Sequence, residues 1–129
     1  MPNREELWVD ELGDPISHYT HGVRFGDLVF VSGCVGIDAD GNIAADVATQ
    51  ARQALQNIRR VLAEAGASLA DVCKVTVYLT DIDDRPKINP VREELFGDAR
   101  PASTLVEISR LARPDAKVEI EAIAVLSGR

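Results

Sequence analysis

Apolar residues occupy every second position of Val118–Val125, which reads VEIEAIAV, and two glutamates stand between the first of them. Because side chains in a strand point alternately to opposite faces, this segment predicts a strand with two unlike faces. One face carries Val118, Ile120, Ala122 and Ala124, and the other carries Glu119, Glu121, Ile123 and Val125. Burying a charge costs free energy unless the charge is paired. The glutamates therefore lie at a solvated edge or a subunit interface with basic partners, or one of them performs acid–base chemistry with a raised pKa.

Similar apolar runs predict four more strands, at His18–Phe25, Leu28–Ser32, Val72–Thr80 and Thr104–Ile108. The Gly26-Asp27 dipeptide predicts a hairpin turn between the first two of them. Because Leu28–Val31 is apolar at every position, it indicates a central strand covered on both faces. Leu7–Val9 can add a short strand at the sheet edge.

Apolar residues at three-to-four spacing predict a long helix over Asp46–Ala65. Asp46 is a suitable N-cap, and Gly66 is a suitable terminator. A second helix is predicted over Asp84–Phe96, in which Pro90 predicts a bend or a later start. The element order is therefore ββαβαββ, with both helices on one face of a mixed sheet.

This order predicts an α+β fold of two layers, formed as a single domain over residues 1–129. Two helices cover one face of the sheet, and no helix remains for the other face. That face carries valine and isoleucine beside charged residues, so we expect it to be covered by further copies of the chain. A cleft between such copies is a common place for a ligand site.

Composition narrows the classes of function. The 129 residues carry a net charge of −7, which disfavours general nucleic-acid binding. One basic group on the first helix is most simply a solvated face: Arg52, Arg59 and Arg60. The acidic N-terminus has no apolar segment typical of a signal peptide, and no apolar run approaches the roughly 20 residues of a membrane helix. Cys34 and Cys73 lack zinc or disulfide spacing, so we expect a cytoplasmic protein.

Three segments resemble the RidA/YjgF family: FGDLVFVSG, DVATQARQALQNIRRVLAEAGASLADVCKVTVYLTDIDD and RPASTLVEISRLARPDAKVEIEAIAV. The resemblance covers about residues 17–126. It implies a chorismate-mutase-like homotrimer with a cleft at each subunit interface. It also implies hydrolysis of the reactive enamines and imines released by pyridoxal-phosphate dehydratases, giving 2-oxo acids and ammonia. Other members of the family have been labelled translation inhibitors or endoribonucleases.

The resemblance assigns site residues by position. Glu119 is the catalytic candidate, because it matches the glutamate thought to position or activate the attacking water. The substrate-binding candidates are Tyr19, Ser32, Gly33, Cys34, Asn89, Ser103 and Leu105. Neither a metal ion nor an organic cofactor is expected for this chemistry.

Two of these positions depart from the family pattern. The archetypal deaminases carry a Pro-Ala-Arg motif at the fourth strand, and the arginine of that motif binds the substrate carboxylate. Here Ser103 occupies the arginine position, and Cys34 replaces a usual glutamine. A hydroxyl offers one neutral hydrogen bond where a guanidinium offers a bidentate charged contact, so we predict weaker activity or a different substrate. Arg100, Lys117 or a residue of a neighbouring subunit are the candidate replacements.

Other interpretations of the same residues stay open at this point. Tyr19 donates a hydrogen bond to a ligand or is an interface aromatic. Asn89 faces the ligand or caps the second helix. Cys34 is a nucleophile or an inert core thiol. An offset of three places His18 and His21 on opposite faces of a strand, which disfavours a metal site.

The sequence therefore predicts a RidA-like homotrimeric hydrolase that deaminates a small enamine or imine, with an altered substrate preference. The main alternative is the same trimer acting as a small-metabolite-binding protein without turnover. An endoribonuclease is the third hypothesis, which the acidity of the chain disfavours.

Overall fold

One six-stranded mixed sheet forms the framework of the protein. A computed structural model describes residues 4–126. Its elements are β1 (Arg4–Leu7), β2 (Gly22–Phe25), β3 (Leu28–Val35), α1 (Val47–Glu64), β4 (Val72–Leu79), α2 (Arg85–Phe96), β5 (Ala102–Glu107) and β6 (Val118–Val125). The strand order is β1-β2-β3-β6-β4-β5, and only the β4–β5 pair is parallel. The predicted two-layer α+β fold is confirmed, with β1 added at the edge.

The long helix α1 begins and ends where its sequence predicts. The Asp46 carboxylate accepts a hydrogen bond from the Thr49 N–H at 2.9 Å, which satisfies a free donor of the first turn. Gly66 follows the helix with a φ of 75°, a conformation that favours glycine. The apolar stripe is fully buried at Ala51, Ala54, Leu55, Ile58, Val61 and Leu62.

The two faces of β6 differ as its alternation predicts. Val118, Ile120, Ala122 and Ala124 are buried in the core beneath the helices. Glu121 is exposed on the opposite face, and Glu119 is partly buried there.

The prediction that Leu28–Val31 is covered on both faces is wrong for the single chain. Phe30 is 41% exposed and Leu28 is 39% exposed, because both helices pack on the other side of the sheet. The structure thus leaves an apolar face uncovered.

Two predicted boundaries also differ. The strand predicted from His18 begins only at Gly22. His21 lies directly before it, where its carbonyl accepts a hydrogen bond from the Ser32 N–H and its imidazole accepts one from the Val9 N–H. Helix α2 starts at Arg85 and continues through Pro90, so its start is not delayed. The carbonyl that Pro90 leaves without a donor belongs to Pro86, which is exposed in the first turn where water can reach it.

No helix in the described part of the chain is long and apolar enough to cross a membrane.

Candidate active site

A cavity of about 140 Å³ lies beside the Glu119 end of β6. It contains five of the eight residues predicted for the site, which we call the cavity cluster: Tyr19, Ser32, Gly33, Cys34 and Glu119. The remaining walls are largely apolar and come from the segment before β2 and from the loop before β6. A mostly apolar cavity with a few polar groups is typical of small-molecule sites.

The Glu119 carboxyl lies directly against the backbone of Gly33. A Cβ atom at Gly33 would stand 2.6 Å from Glu119 Oε2, so the absence of a side chain is what makes room for the carboxyl. Partial burial raises the pKa of Glu119 above its usual range, and the charge of Glu121 raises it further. Within residues 4–126 the carboxyl has neither a hydrogen bond nor an ion pair, so it is available to exchange a proton.

Cys34 is held in its neutral form. Burial raises the pKa of its thiol to about 12, and the neighbouring Glu119 charge acts in the same direction. The thiol donates a long hydrogen bond to the Ser32 carbonyl at 3.4 Å. Because the thiolate is the nucleophilic form, these surroundings favour the interpretation of an inert thiol.

The Ser32 hydroxyl donates a hydrogen bond to the Thr20 carbonyl at 2.6 Å. Toward a ligand this hydroxyl can therefore act only as a hydrogen-bond acceptor. Tyr19 is 44% exposed at the mouth of the cavity.

His21 fixes the wall that precedes β2, a role that the sequence did not indicate. Its Nδ1 accepts a hydrogen bond from the Val9 N–H at 2.9 Å. The proton therefore resides on Nε2, which donates to the Gly13 carbonyl at 2.9 Å. His18 is exposed and does not line this cavity.

Two buried amides of α1 support the other walls. The Asn57 Nδ2 donates to the carbonyls of Val35 and Ile37 at 3.1 and 2.9 Å. Gln50 Nε2 donates to the Asp115 carbonyl at 3.1 Å, and its Oε1 accepts from the Lys117 N–H at 2.8 Å. The signal for both was available in the sequence. The two amides lie seven residues apart within an apolar helical stripe, where a polar side chain must find buried partners.

Arg113 also lines the cavity, on the loop that Gln50 holds. Its Nη2 lies 3.4 Å from the Asp115 carboxylate, with which it forms an ion pair. The candidate replacements Arg100 and Lys117 do not line the cavity.

The other three predicted residues lie elsewhere in the chain. Ser103 pairs with Val75 and Leu105 with Val77, so their side chains point to the helix side of β5. Asn89 lies inside α2 rather than at its cap, and its Nδ2 donates to Glu93 Oε1 at 3.0 Å.

Arg92 joins these residues, because its Nη2 donates a hydrogen bond to Ser103 Oγ at 2.8 Å. We call this group the edge cluster: Asn89, Arg92, Ser103 and Leu105. Glu119 pairs with Tyr78 and points to the open face of the sheet, so one chain does not bring the two clusters together.

An acidic group beside an apolar cavity on a two-layer α+β fold is typical of a small-molecule site. The sequence comparisons give its family. The family model for Endoribonuclease L-PSP matches residues 10–126, and the chain belongs to this family, which is the YjgF/RidA family.

Three similar proteins place the chain within that family. A RutC family protein of Pyrococcus abyssi is 41% identical, over 94% of this chain and 96% of that protein. A 2-iminobutanoate/2-iminopropanoate deaminase of Salmonella typhimurium is 40% identical, over 85% and 88% of the two chains. The crystal structure of Escherichia coli TdcF with bound serine superimposes with a TM-score of 0.88 at 37% identity, over 94% and 98% of the chains.

Proposed function

We propose that the protein hydrolyses a small reactive imine or enamine to a carbonyl compound and ammonia. The observation that carries this proposal is Glu119, a half-buried carboxyl with a raised pKa that lies in a cavity and has no hydrogen bond or ion pair among residues 4–126. The naming of a 40% identical relative as a 2-iminobutanoate/2-iminopropanoate deaminase supports the same reaction.

The mechanism needs a held water and a base. The iminium carbon is already electrophilic, so water adds to it while the Glu119 carboxylate accepts a proton from the water. The resulting carbinolamine receives that proton on nitrogen. The carbon–nitrogen bond then breaks, ammonia leaves, and the remaining hydroxyl becomes the carbonyl as it releases its proton. The sum is imine plus water giving carbonyl compound plus ammonia, with no net oxidation.

The raised pKa of Glu119 suits this role. A base is most effective when its pKa lies close to the working pH. Burial and the Glu121 charge both raise the pKa of Glu119 toward that pH. We expect kcat/KM to fall as the pH drops through this raised pKa, because protonated Glu119 accepts no proton. The acid limb should therefore lie above the ordinary glutamate value of about 4.3.

The separation of the two clusters supports a site shared between copies of the chain. The uncovered face with Phe30 and Leu28 supplies an apolar surface for association. We propose a homotrimer in which the cavity cluster of one copy meets the edge cluster of its neighbour. Ser103, in place of the arginine of the archetypal enzymes, then alters the substrate preference.

The test is hydrolysis of freshly generated 2-iminopropionate and 2-iminobutanoate by the wild type, Glu119→Gln and Glu121→Gln. Glu121 lies on the same face of β6, is exposed and accepts from the Tyr78 hydroxyl at 3.3 Å, so it is a matched control. We expect Glu119→Gln to lower kcat/KM at least about 100-fold. Glu121→Gln should keep kcat and move the acid limb to lower pH, because it removes a charge that raises the Glu119 pKa.

Full activity of Glu119→Gln would overturn the proposed role of this residue. A wild type that binds 2-oxobutanoate saturably but turns over neither imine would overturn hydrolysis and favour a metabolite-binding protein.

A further inference from the structure

The guanidinium of Arg92 differs in its surroundings from the arginines that carry a carboxylate partner. Arg52 is bound by Glu94, and Arg113 is bound by Asp115. Arg92 is partly buried at the α2–β5 edge, and burial lowers the pKa of its guanidinium. Among residues 4–126 no carboxylate lies within ion-pair distance of it, and its side-chain contact is the neutral Ser103 hydroxyl at 2.8 Å.

A partly desolvated guanidinium without a counter-ion is an unfavourable arrangement unless an anion joins it. The fold brings the Arg92 guanidinium to Ser103 on β5, the position at which the archetypal family members carry an arginine. Parallel pairing of β5 with β4 turns Ser103 toward the helix layer, and α2 presents Arg92 there.

The Arg92–Ser103 pair offers two donors to an anion. Because Ser103 Oγ accepts the hydrogen bond from Arg92 Nη2, its own proton is free to donate elsewhere. The guanidinium retains further N–H groups beside it. One carboxylate can therefore accept hydrogen bonds from Arg92 and from Ser103 together, which is a charge-assisted and geometrically specific contact.

We propose that Arg92, acting with Ser103, binds the carboxylate of the substrate and so takes the place of the arginine that Ser103 replaces. This inference rests on the proposed function, because the reacting carbon must lie near Glu119. Arg92 and Glu119 lie on opposite faces of the sheet in one chain, so the substrate contacts Arg92 of one copy and Glu119 of the next. Arg92 is a substrate-binding residue, and Glu119 is the base.

Binding measurements test the carboxylate contact without any need for turnover. Titration of the wild type with 2-oxobutanoate, the carboxylate product, should show saturable binding that Arg92→Met weakens about 10- to 100-fold. Methionine keeps much of the apolar stem and removes the charge. The control is Arg60→Met, which removes the same charge from an exposed position on α1 and should leave the affinity unchanged.

Kinetics should show the same division. Arg92→Met should raise KM about 10- to 100-fold while kcat changes less than about threefold, whereas Glu119→Gln should lower kcat. Adding Ser103→Arg to Arg92→Met should bring KM back toward the wild-type value, because it returns a guanidinium to the same edge.

Mixing subunits tests the shared site. If Glu119→Gln and Arg92→Met chains are refolded together in equal amounts, about a quarter of the sites combine an intact Glu119 with an intact Arg92. Activity at low substrate concentration should then rise to about a quarter of the wild-type value, above either variant alone.

Several results would overturn the Arg92 assignment. These are unchanged 2-oxobutanoate affinity in Arg92→Met, loss of affinity in Arg113→Met instead, or no complementation between two folded, associated variants. Failure of the proposed function is recognised separately, since it leaves the Arg92-dependent binding intact while the wild type shows no turnover.

Discussion

The cavity cluster and the edge cluster are built in different ways. The cavity cluster is fixed by buried hydrogen bonds from distant parts of the chain, in which His21, Gln50 and Asn57 hold three separate wall segments. The edge cluster is exposed or partly buried and is joined by one side-chain hydrogen bond between α2 and β5, the contact of Arg92 with Ser103.

The chemistry of the two clusters is complementary. The first holds an unpartnered carboxyl, and the second holds a guanidinium without a carboxylate partner in the described chain. In the proposed function, the electrophilic carbon of an imino acid would lie near the Glu119 carboxyl, and its carboxylate would bind the Arg92 guanidinium. The difference fits the proposed shared site, in which each cluster holds an unfavourable group that the substrate and a neighbouring copy would satisfy.

The largest predicted difference concerns the two cysteines. Cys34 has a pKa of about 12, whereas Cys73 is exposed on β4. At pH 8 we expect iodoacetamide to alkylate Cys73 on the order of 100-fold faster than Cys34, because burial of Cys34 disfavours the reactive thiolate. Mass spectrometry of tryptic peptides measures both rates. Equal rates would mean that solvent and reagent reach the Cys34 thiol and that the cavity does not shield it.

Gly33, within β3, and Gly36, directly after it, separate the scaffold of the cavity from its chemistry. A Cβ at Gly36 would collide with the backbone of Gln50, which α1 holds in place. We expect Gly36→Ala to lower the free energy of unfolding by about 3 kcal/mol, measured by urea denaturation. A change below about 0.5 kcal/mol would show that β3 and α1 are not rigidly apposed.

At Gly33 the same added methyl group would meet the flexible Glu119 carboxyl instead. Gly33→Ala should therefore lower kcat on the order of tenfold, because Glu119 must rotate away, while changing stability by less than about 1 kcal/mol. Neither Gly33 nor Gly36 has a positive φ, so backbone strain in the alanine variants does not contribute to the difference between them. Unchanged kcat in Gly33→Ala would contradict the assigned position of the base.

The smallest effect is the pH dependence of stability at Glu119. A raised pKa means that the folded state penalises the ionised form, so the wild type loses stability as the pH rises from about 4 through the folded-state pKa. Glutamine does not titrate, so Glu119→Gln should be the more stable protein at pH 7 by less than about 1 kcal/mol, with the difference vanishing near pH 4. Calorimetric Tm values at both pH values measure this, and a pH-independent difference would contradict it.

Local patterns predicted the elements well where periodicity and caps agree. The bounds of α1 follow from its apolar stripe, Asp46 and Gly66, and β6 follows from its alternation. The extension of β3 from Ser32 to Val35 was missed, because Gly33 and Cys34 are small residues without a strand pattern. The strand continues because Cys34 and Val35 pair with Ile120 and Glu119 of β6 after a register shift, a contact far away in sequence.

The candidate site was predictable in its members more than in its arrangement. The resemblance named Glu119, Gly33 and Ser103, but nothing local indicated that the first two touch and that the third lies apart. Arg92 was missed because an arginine on a helix flanked by Glu93 and Glu94 has the pattern of an ordinary solvated surface.

The sequence by itself determined which residues form helices and strands, which face of each is apolar, and which chemical groups are available. These follow from short-range periodicity and side-chain chemistry. Only the tertiary structure decided that Glu119 rests on Gly33 and that Arg92 reaches Ser103. Both contacts depend on the strand order, in which β6 inserts between β3 and β4 and leaves β5 at the edge beside α2. Such long-range pairings are set by packing of the whole chain, and no local segment contains them.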